Sequence, residues 1–259
     1  MFVDSHCHLD RLKKNDSELA KTVAAASKRK VEHMLCVAVS VKEFSDMKAR
    51  VAKFDNVSMS CGVHPLHNED VCSYSELLAQ VQADDVVAVG ETGLDYFYSE
   101  ETKDIQKDSF VDHIKAANAV KKPLIIHTRN AHKDTINLLN EHRDPSTIGV
   151  LHCFTESLEM AKEAIEMGFY ISISGIVTFA SAKELQETVK QIPLERLLIE
   201  TDSPWLAPVP HRGKENEPAN VVDVAYFIAE LRGISVTELA AATTENFYRL
   251  FSLVKKPNV

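Results

Sequence analysis

The stretch VVAVGE, residues 86–91, decides the fold. Four apolar residues run on with no polar residue among them, a glycine follows, and a lone glutamate ends the run. A strand with one wet face alternates apolar and polar residues, because successive side chains point to opposite faces of the sheet; an unbroken apolar run implies that both faces are covered, as in a parallel sheet flanked by helices. Seven further runs, largely free of polar alternation, recur along the chain: FVDSH (2–6), MLCVAV (34–39), VSMSCGV (57–63), PLIIH (123–127), GVLHC (149–153), FYISIS (169–174) and LLIETD (197–202). Amphipathic patterns lie between them over Ser17–Arg29, Val41–Phe54, Thr102–Lys121, Ser157–Gly168 and Ala182–Gln191, the fourth ending on a glycine where a helix C-cap needs one. Pro218–Arg232 reads as an outer helix and Val236–Leu253 as a short helical pair. Eight strands alternating with helices predict an α/β fold closed into a (β/α)8 TIM barrel. The chain of 259 residues fits the usual size of that barrel, and with no internal repeat or composition break it reads as a single domain over 1–259.

Composition excludes several classes. At 45% hydrophobic and 26% charged residues the chain is an ordinary globular protein. It has no apolar run of the roughly 18 residues that span a bilayer, and its start, MFVDSHCHLD, lacks the basic-then-apolar pattern of a signal peptide. The expected address is cytoplasmic, with no membrane association and no obligate protein partner evident. Five cysteines without a C-x-x-C spacing suggest neither a disulfide framework nor a zinc ribbon. Cys36, Cys61 and Cys153 read as small buried hydrophobes, and alternation turns Cys7 away from His6 and His8. A net charge of -9 argues against a broad basic surface for duplex nucleic acid. It leaves room for a site that grips one or two phosphates.

The trailing ends of the runs carry the chemistry. They hold His6 and His8, His64, Glu91, His127, His152 and Asp202. Active sites of β/α barrels lie at the C-terminal ends of the strands, so residues scattered over some two hundred positions are expected to converge there. Singly these signals are weak: an H-x-H pair is commonly a surface or core feature, a histidine after a buried strand is as often a satisfied core group as a ligand, and a lone glutamate is commonly solvated. Together they predict a metal site. His6 and His8, two apart on a strand, share a face with Asp4. Glu91 offers two oxygens, so it can bridge two cations. Asp202 ends the eighth run, next to the first in a closed barrel. In the loop PVPHRGKENEP, Arg212 is a candidate phosphate contact through its forked guanidinium, and Arg129 is a second. Glu200 and Asp4 are expected to orient ligands, whereas Asp95, Tyr96 and Tyr98 are assigned to loop packing.

VDSHCHLD, CGVHP, GETGLDY, IIHTR, GVLHCF, FYISISGIVTF, LLIETDSPWLAP and PHRGKENEP together resemble the TatD family of metal-dependent deoxyribonucleases, closest to its YcfH-type branch, over essentially the whole chain. The resemblance implies an amidohydrolase-like TIM barrel with two divalent cations, of which Mg, Mn and Zn are the candidates. One cation would be held by His6, His8, Glu91 and Asp202, the other by Glu91, His127 and His152, with His64 beside the substrate phosphate. Trp205 departs from the tyrosine usual after Asp-Ser-Pro in the family. The implied activity is 3'→5' exonuclease action on single-stranded DNA ends, with RNA as a further substrate class.

The expected mechanism is two-metal activation of water, with Asp202 taking the proton, Glu91 fixing the cation pair, and His64, Arg212 and Arg129 holding the phosphate. An esterase or amidase of the same barrel, such as a D-aminoacyl-tRNA deacylase, is the alternative enzyme reading. A non-catalytic metal-binding scaffold is the alternative outside enzymes.

Overall fold

The computed structural model describes residues 1–256, so the last three residues of the domain read over 1–259 lie outside the described residues. The chain folds as a (β/α)8 TIM barrel. Strands β1 (Phe2–Cys7), β2 (Val31–Val37), β3 (Val57–Cys61), β4 (Val86–Asp95), β5 (Leu124–Arg129), β6 (Gly149–Leu151), β7 (Tyr170–Ile173) and β8 (Leu197–Ile199) lie in one sheet in that order. Every adjacent pair runs parallel. The seam between first and last strand is stitched by the Asp202 N–H donating to the His6 carbonyl at 2.9 Å, the His8 N–H to the Ser203 carbonyl at 2.8 Å, and the Ser5 hydroxyl to the Ile199 carbonyl at 3.0 Å.

Helices α1 (Asp16–Lys28), α2 (Phe44–Val51), α3 (Tyr74–Val81), α4 (Lys103–Val120), α5 (His132–His142), α6 (Leu158–Glu166), α7 (Lys183–Gln191) and α8 (Val221–Arg232) follow the eight strands in turn, and α9 (Val236–Leu250) closes the chain. Their starts are written locally. Asn15 accepts from the Glu18 N–H while the Glu18 carboxylate accepts from the Asn15 N–H, and Ser73 with Glu76 repeats this capping box at α3. Helix α6 gives way to Gly168 at φ +91°, and α8 stops at Gly233 at φ +66°.

Apolar side chains divide by side of the sheet. Met34, Val89, Ile126, Leu151, Ile171 and Ile199 face the helices, whereas Val3, Leu35, Val87, Ile125, Val150 and Leu198 fill the barrel. Phe247 and Phe251 of α9 and its following turn pack against that interior set. The Asn246 amide donates to the Leu194 and Leu197 carbonyls, which fixes this plug at the end where the strands begin. The opposite end is left to polar groups.

Four expectations need correction. Val236–Leu253 is not a helical pair: one helix runs to Leu250, because Leu239, Ala240, Thr243, Phe247 and Leu250 keep a single buried stripe with no glycine or proline to break it. Strand β8 ends at Ile199, three residues before Asp202, whose φ of +56° turns the chain out of the sheet. Asp4 does not share a face with His6 and His8. The β1–β2 register slips by one residue between Asp4 and Cys7, Val3 and Ser5 face the interior, and the Asp4 carboxylate turns to the Thr201 N–H and hydroxyl at 2.8 and 2.6 Å. Helices α3 and α5, finally, lie outside the amphipathic patterns named from the sequence, and α5 starts without a side-chain cap.

Strand β4 continues past Glu91 to Asp95, and this extension needs Gly93. Gly93 pairs with His127 at φ +132°, and a Cβ there would stand 2.0 Å from the His127 carbonyl oxygen. Gly93→Ala should therefore lower unfolding stability by about 2–4 kcal/mol through backbone strain and overpacking. Urea unfolding of the two proteins measures this, and a change below about 0.5 kcal/mol, the size of an ordinary surface substitution, would show that β4 accommodates a side chain.

Candidate metal centre

Glu91 sits at the centre of the polar end of the barrel, its side chain only 3% exposed. Its two oxygens face two different sets of groups. On the Oε2 side, His6 Nε2 lies at 3.3 Å and His8 Nε2 at 3.7 Å; those two nitrogens are 3.1 Å apart, and Asp202 Oδ1 stands 3.8 and 3.4 Å from them. On the Oε1 side stand His152 Nε2 at 2.6 Å, His64 Nε2 at 3.3 Å and His127 Nδ1 at 3.5 Å. Strands β1, β4 and β5 and the residues just past β1, β3, β6 and β8 supply these groups.

The Oε2 set passes a geometric test for a cation. His6 Nε2 and His8 Nε2 lie 3.1 Å apart, and each stands 3.3 to 3.8 Å from both Glu91 Oε2 and Asp202 Oδ1. Ligand atoms about 2.1 Å from a tetrahedral ion stand about 3.4 Å apart. On the Oε1 side, His152 Nε2 has no hydrogen-bond partner although Glu91 Oε1 is 2.6 Å away. Two donor atoms that close without hydrogen-bond alignment are aimed at a shared point beside them. The groupings His6–His8–Glu91, His6–His152–Asp202 and His64–Glu91–His127 each bring three ligand-type atoms within 4.8 Å of one another.

The far nitrogens of the rings decide which lone pairs point inward. His8 Nδ1 donates to the Val37 carbonyl at 2.8 Å, His127 Nε2 to Asp95 Oδ2 at 2.9 Å, and His152 Nδ1 faces Glu200 Oε1 at 3.3 Å. In the neutral rings those bonds leave the inward nitrogen unprotonated, as a metal ligand must be. His64 is the reverse. Its Nδ1 accepts the Leu66 N–H at 3.1 Å, so the neutral ring carries its proton on Nε2, facing Glu91. The four rings are thus chemically sorted: three present lone pairs on this reading, and His64 presents an N–H.

Asp95 packs its loop, as the sequence suggests, and its other oxygen stands against His127. It is 1% exposed, and its Oδ1 also accepts the N–H groups of Phe97 and Tyr98. Nothing in the sequence separated it from any aspartate opening a loop. Asn216, also unremarked there, donates from its buried amide to the carbonyls of Thr201 and Trp205 and so holds the turn that carries Asp202. Glu200 accepts the Cys153 N–H at 2.8 Å and braces His152. Arg212 and Arg129 are not drawn into the cluster. Arg212 stacks on Phe179 at 4.0 Å, and Arg129 lies over Phe97 and Tyr98 at 4.2 and 4.8 Å. Neither guanidinium has a carboxylate partner among the described residues. His211 pairs with Asp223 at 3.3 Å.

Burial alone would raise the Glu91 carboxyl, but His152, His64, His6 and the hydrogen bond from His127 outweigh it and hold it well below the carboxylate range. For His152, burial is likewise outweighed, by Glu91 and Glu200, and the ring is held well above the usual imidazole value. His8 beside Asp202 and His127 beside Asp95 are raised against the effect of burial, and Asp202 is lowered by His8 and His6 against the same effect. Burial and repulsion from His152 lower His6, and burial pushes His64 down to about 4.

Comparison with known proteins fits this chemistry. The sequence model of the family described as TatD related DNase matches residues 3–252. The chain is 49% identical over 254 residues to the Escherichia coli K12 protein named uncharacterized metal-dependent hydrolase YcfH, covering 97% of this chain and 96% of that one. It is 41% identical over 258 residues to the Bacillus subtilis metal-dependent hydrolase YabD, covering 98% and 100%. Among solved structures, YJJV, a TatD homolog from Escherichia coli K12, superposes with a TM-score of 0.90 at 29% identity, covering 97% and 98% of the two chains.

Two outcomes follow from the geometry. A metal must compete with protons on His152, His8 and His127, whose charged forms are favoured by Glu91 and Glu200, by Asp202 and by Asp95; affinity should therefore rise with pH as those rings lose their protons. Calorimetric titration with Zn or Mn at pH 7 in buffers of different ionisation enthalpy should show release of about one proton or more per ion. Heats independent of buffer would contradict this. Asp95→Asn keeps the shape but loosens the hold on His127 Nε2, and should weaken metal binding roughly 10- to 100-fold at little cost in stability. Unchanged affinity would reduce Asp95 to a loop anchor.

Proposed function

The chain belongs to the TatD-related DNase family of metal-dependent hydrolases, and from that premise we propose that it cleaves phosphodiester bonds in DNA as a 3'→5' exonuclease on single strands, using two divalent cations. The observation that carries the proposal is the double environment of Glu91, with His6, His8 and Asp202 around one oxygen and His152, His64 and His127 around the other. Bound cations would supply an activated water and neutralise the phosphate oxygens. His6, His8, Glu91 and Asp202 would hold one, and Glu91, His127 and His152 the other. Imidazole donors suit Zn or Mn better than Mg, which prefers oxygen.

The remaining work falls to this chain's own groups. Asp202, its side chain 13% exposed beside neighbours at 1 to 3%, reaches the mouth of the site in ionised form and can receive the proton lost by the attacking water. His64, 14% exposed and neutral, offers its Nε2 proton to a phosphate oxygen without adding charge that a cation would repel. Arg212 and Arg129, held on aromatic faces and with no carboxylate partner among the described residues, keep their forked donors for phosphate. A strand end held by cations and a few such groups needs no basic surface, in keeping with the net charge of -9.

A screen of single-stranded DNA, RNA and aminoacyl-tRNA with Mg, Mn or Zn supplied, products resolved by length, tests the assignment. Stepwise shortening of DNA from the 3' end supports it, and turnover of aminoacyl-tRNA alone would overturn it. Glu91→Ala should abolish turnover and lower metal content while the fold survives; near-normal rates would sink the bridging role. Asp202→Asn should slow turnover by roughly 10²-fold or more, the range for loss of a general base. An unchanged rate at equal metal occupancy would leave Asp202 as a bystander.

A further inference from the structure

Beside the Oε1 half of the cluster lies a surface that the reaction as described does not use. Phe97 and Tyr98 are 54% and 61% exposed, although large aromatic side chains usually contribute most when buried. They are arranged, not loose. Their rings stand perpendicular with centroids 4.7 Å apart, and the Arg129 guanidinium lies over both. The backbone N–H groups of both residues are held by Asp95 Oδ1 at 3.0 and 2.9 Å, and the other oxygen of that carboxylate holds His127 Nε2 at 2.9 Å. One buried side chain thus fixes the aromatic pair relative to an imidazole of the cluster. Arg129 is tied in as well: as the last residue of β5 it pairs with Asp95 in register, two residues beyond His127.

We propose that Phe97, Tyr98 and Arg129 form a nucleobase-stacking subsite that seats one base of the strand end so that its phosphodiester meets the cluster. The inference rests on the nucleic-acid reading above and deepens it. Every base has a π-face, so an aromatic platform accepts any sequence, as an exonuclease must. The guanidinium can stack on the same base or bind the phosphate next to it. Trp205, the other large exposed aromatic at this rim, contacts His8 at 5.1 Å and so stands by the Oε2 half. The Phe97–Tyr98 pair is therefore a separate wall.

The test compares the wild type with the double variant Phe97→Leu/Tyr98→Leu, which keeps apolar bulk but removes both π-faces. Single-stranded oligonucleotides carry an abasic residue at the last, second or third position from the 3' end, and kcat/KM is measured with the divalent cation supplied. In the wild type one abasic position should lower kcat/KM about tenfold, within the range for one base on an aromatic side chain. The double variant should lose about the same factor on the intact strand and be indifferent to that position. Fluorescence of 2-aminopurine placed there, in a strand with phosphorothioate-protected ends, should change when the wild type binds and not when the variant binds. A variant that keeps the wild-type abasic profile, or loses equally on every strand, overturns the subsite while leaving the nuclease reading intact. A wild type that neither binds nor shortens DNA overturns the nuclease reading itself, and the subsite with it.

Discussion

A carboxylate taken out of water costs several kcal/mol unless charges and hydrogen bonds replace its hydration. Glu91 is in that position, and the polar end of the barrel is organised around it. Five imidazoles approach its two oxygens at 2.6 to 3.7 Å, so the negative charge is met from several strands at once. Those rings do not crowd each other freely: His6 and His152 stack with centroids 3.9 Å apart, and His152, together with burial, depresses proton binding on His6. In the metal-free protein the raised His152, His8 and His127 can carry the positive charge that cations would otherwise bring. The same geometry can therefore hold together with protons or with metal ions, so metal uptake is expected to release protons.

Ring orientation is the second constraint. A histidine has two nitrogens of opposite character when neutral, and the partner of the outer one sets what the inner one offers. Val37, Asp95 and Glu200 accept hydrogen bonds from the outer nitrogens and leave lone pairs inside. The Leu66 N–H does the opposite for His64. A single backbone amide thus distinguishes a proton donor from potential ligands in a cluster where all rings look alike by distance. It also gives physical content to the separate role that His64 has in the proposed chemistry.

The strands and the clustering residues were legible because they follow from one rule: an unbroken apolar run covered on both faces, ending at the polar rim. That rule alone places Glu91, His127, His152 and the first two histidines at the rim. What could not be placed were departures from regular geometry. The slip in register within β1 sends Asp4 to Thr201, and the positive φ of Asp202 carries it out of β8; neither leaves a mark in hydrophobic periodicity. Asp95 and Asn216 are not distinguished in the sequence because the bonds that tie them to the site reach His127 and Thr201, 32 and 15 residues away. Short polar residues in loops look alike until their partners are known.

The two halves of the site rest on different parts of the architecture. The Oε1 half comes from β4, β5 and the residues just past β3 and β6, four strands that are neighbours in a continuous parallel ladder. The Oε2 half straddles the seam, with His6 on β1, His8 just past it and Asp202 beyond β8. No regular ladder pairs those two strands; the bonds between His6 and Asp202, His8 and Ser203, and Asp4 and Thr201 do so instead, joining residues nearly two hundred positions apart. Closing so long a loop costs entropy that local contacts cannot return, so the joint must be held by specific groups. Asp4 and Thr201 belong to that joint, and Asn216 braces it from the outer loop. Polar residues that touch no ligand are thus as necessary to the first half of the site as the imidazoles are, because they bring the two ends of the chain to the same carboxylate.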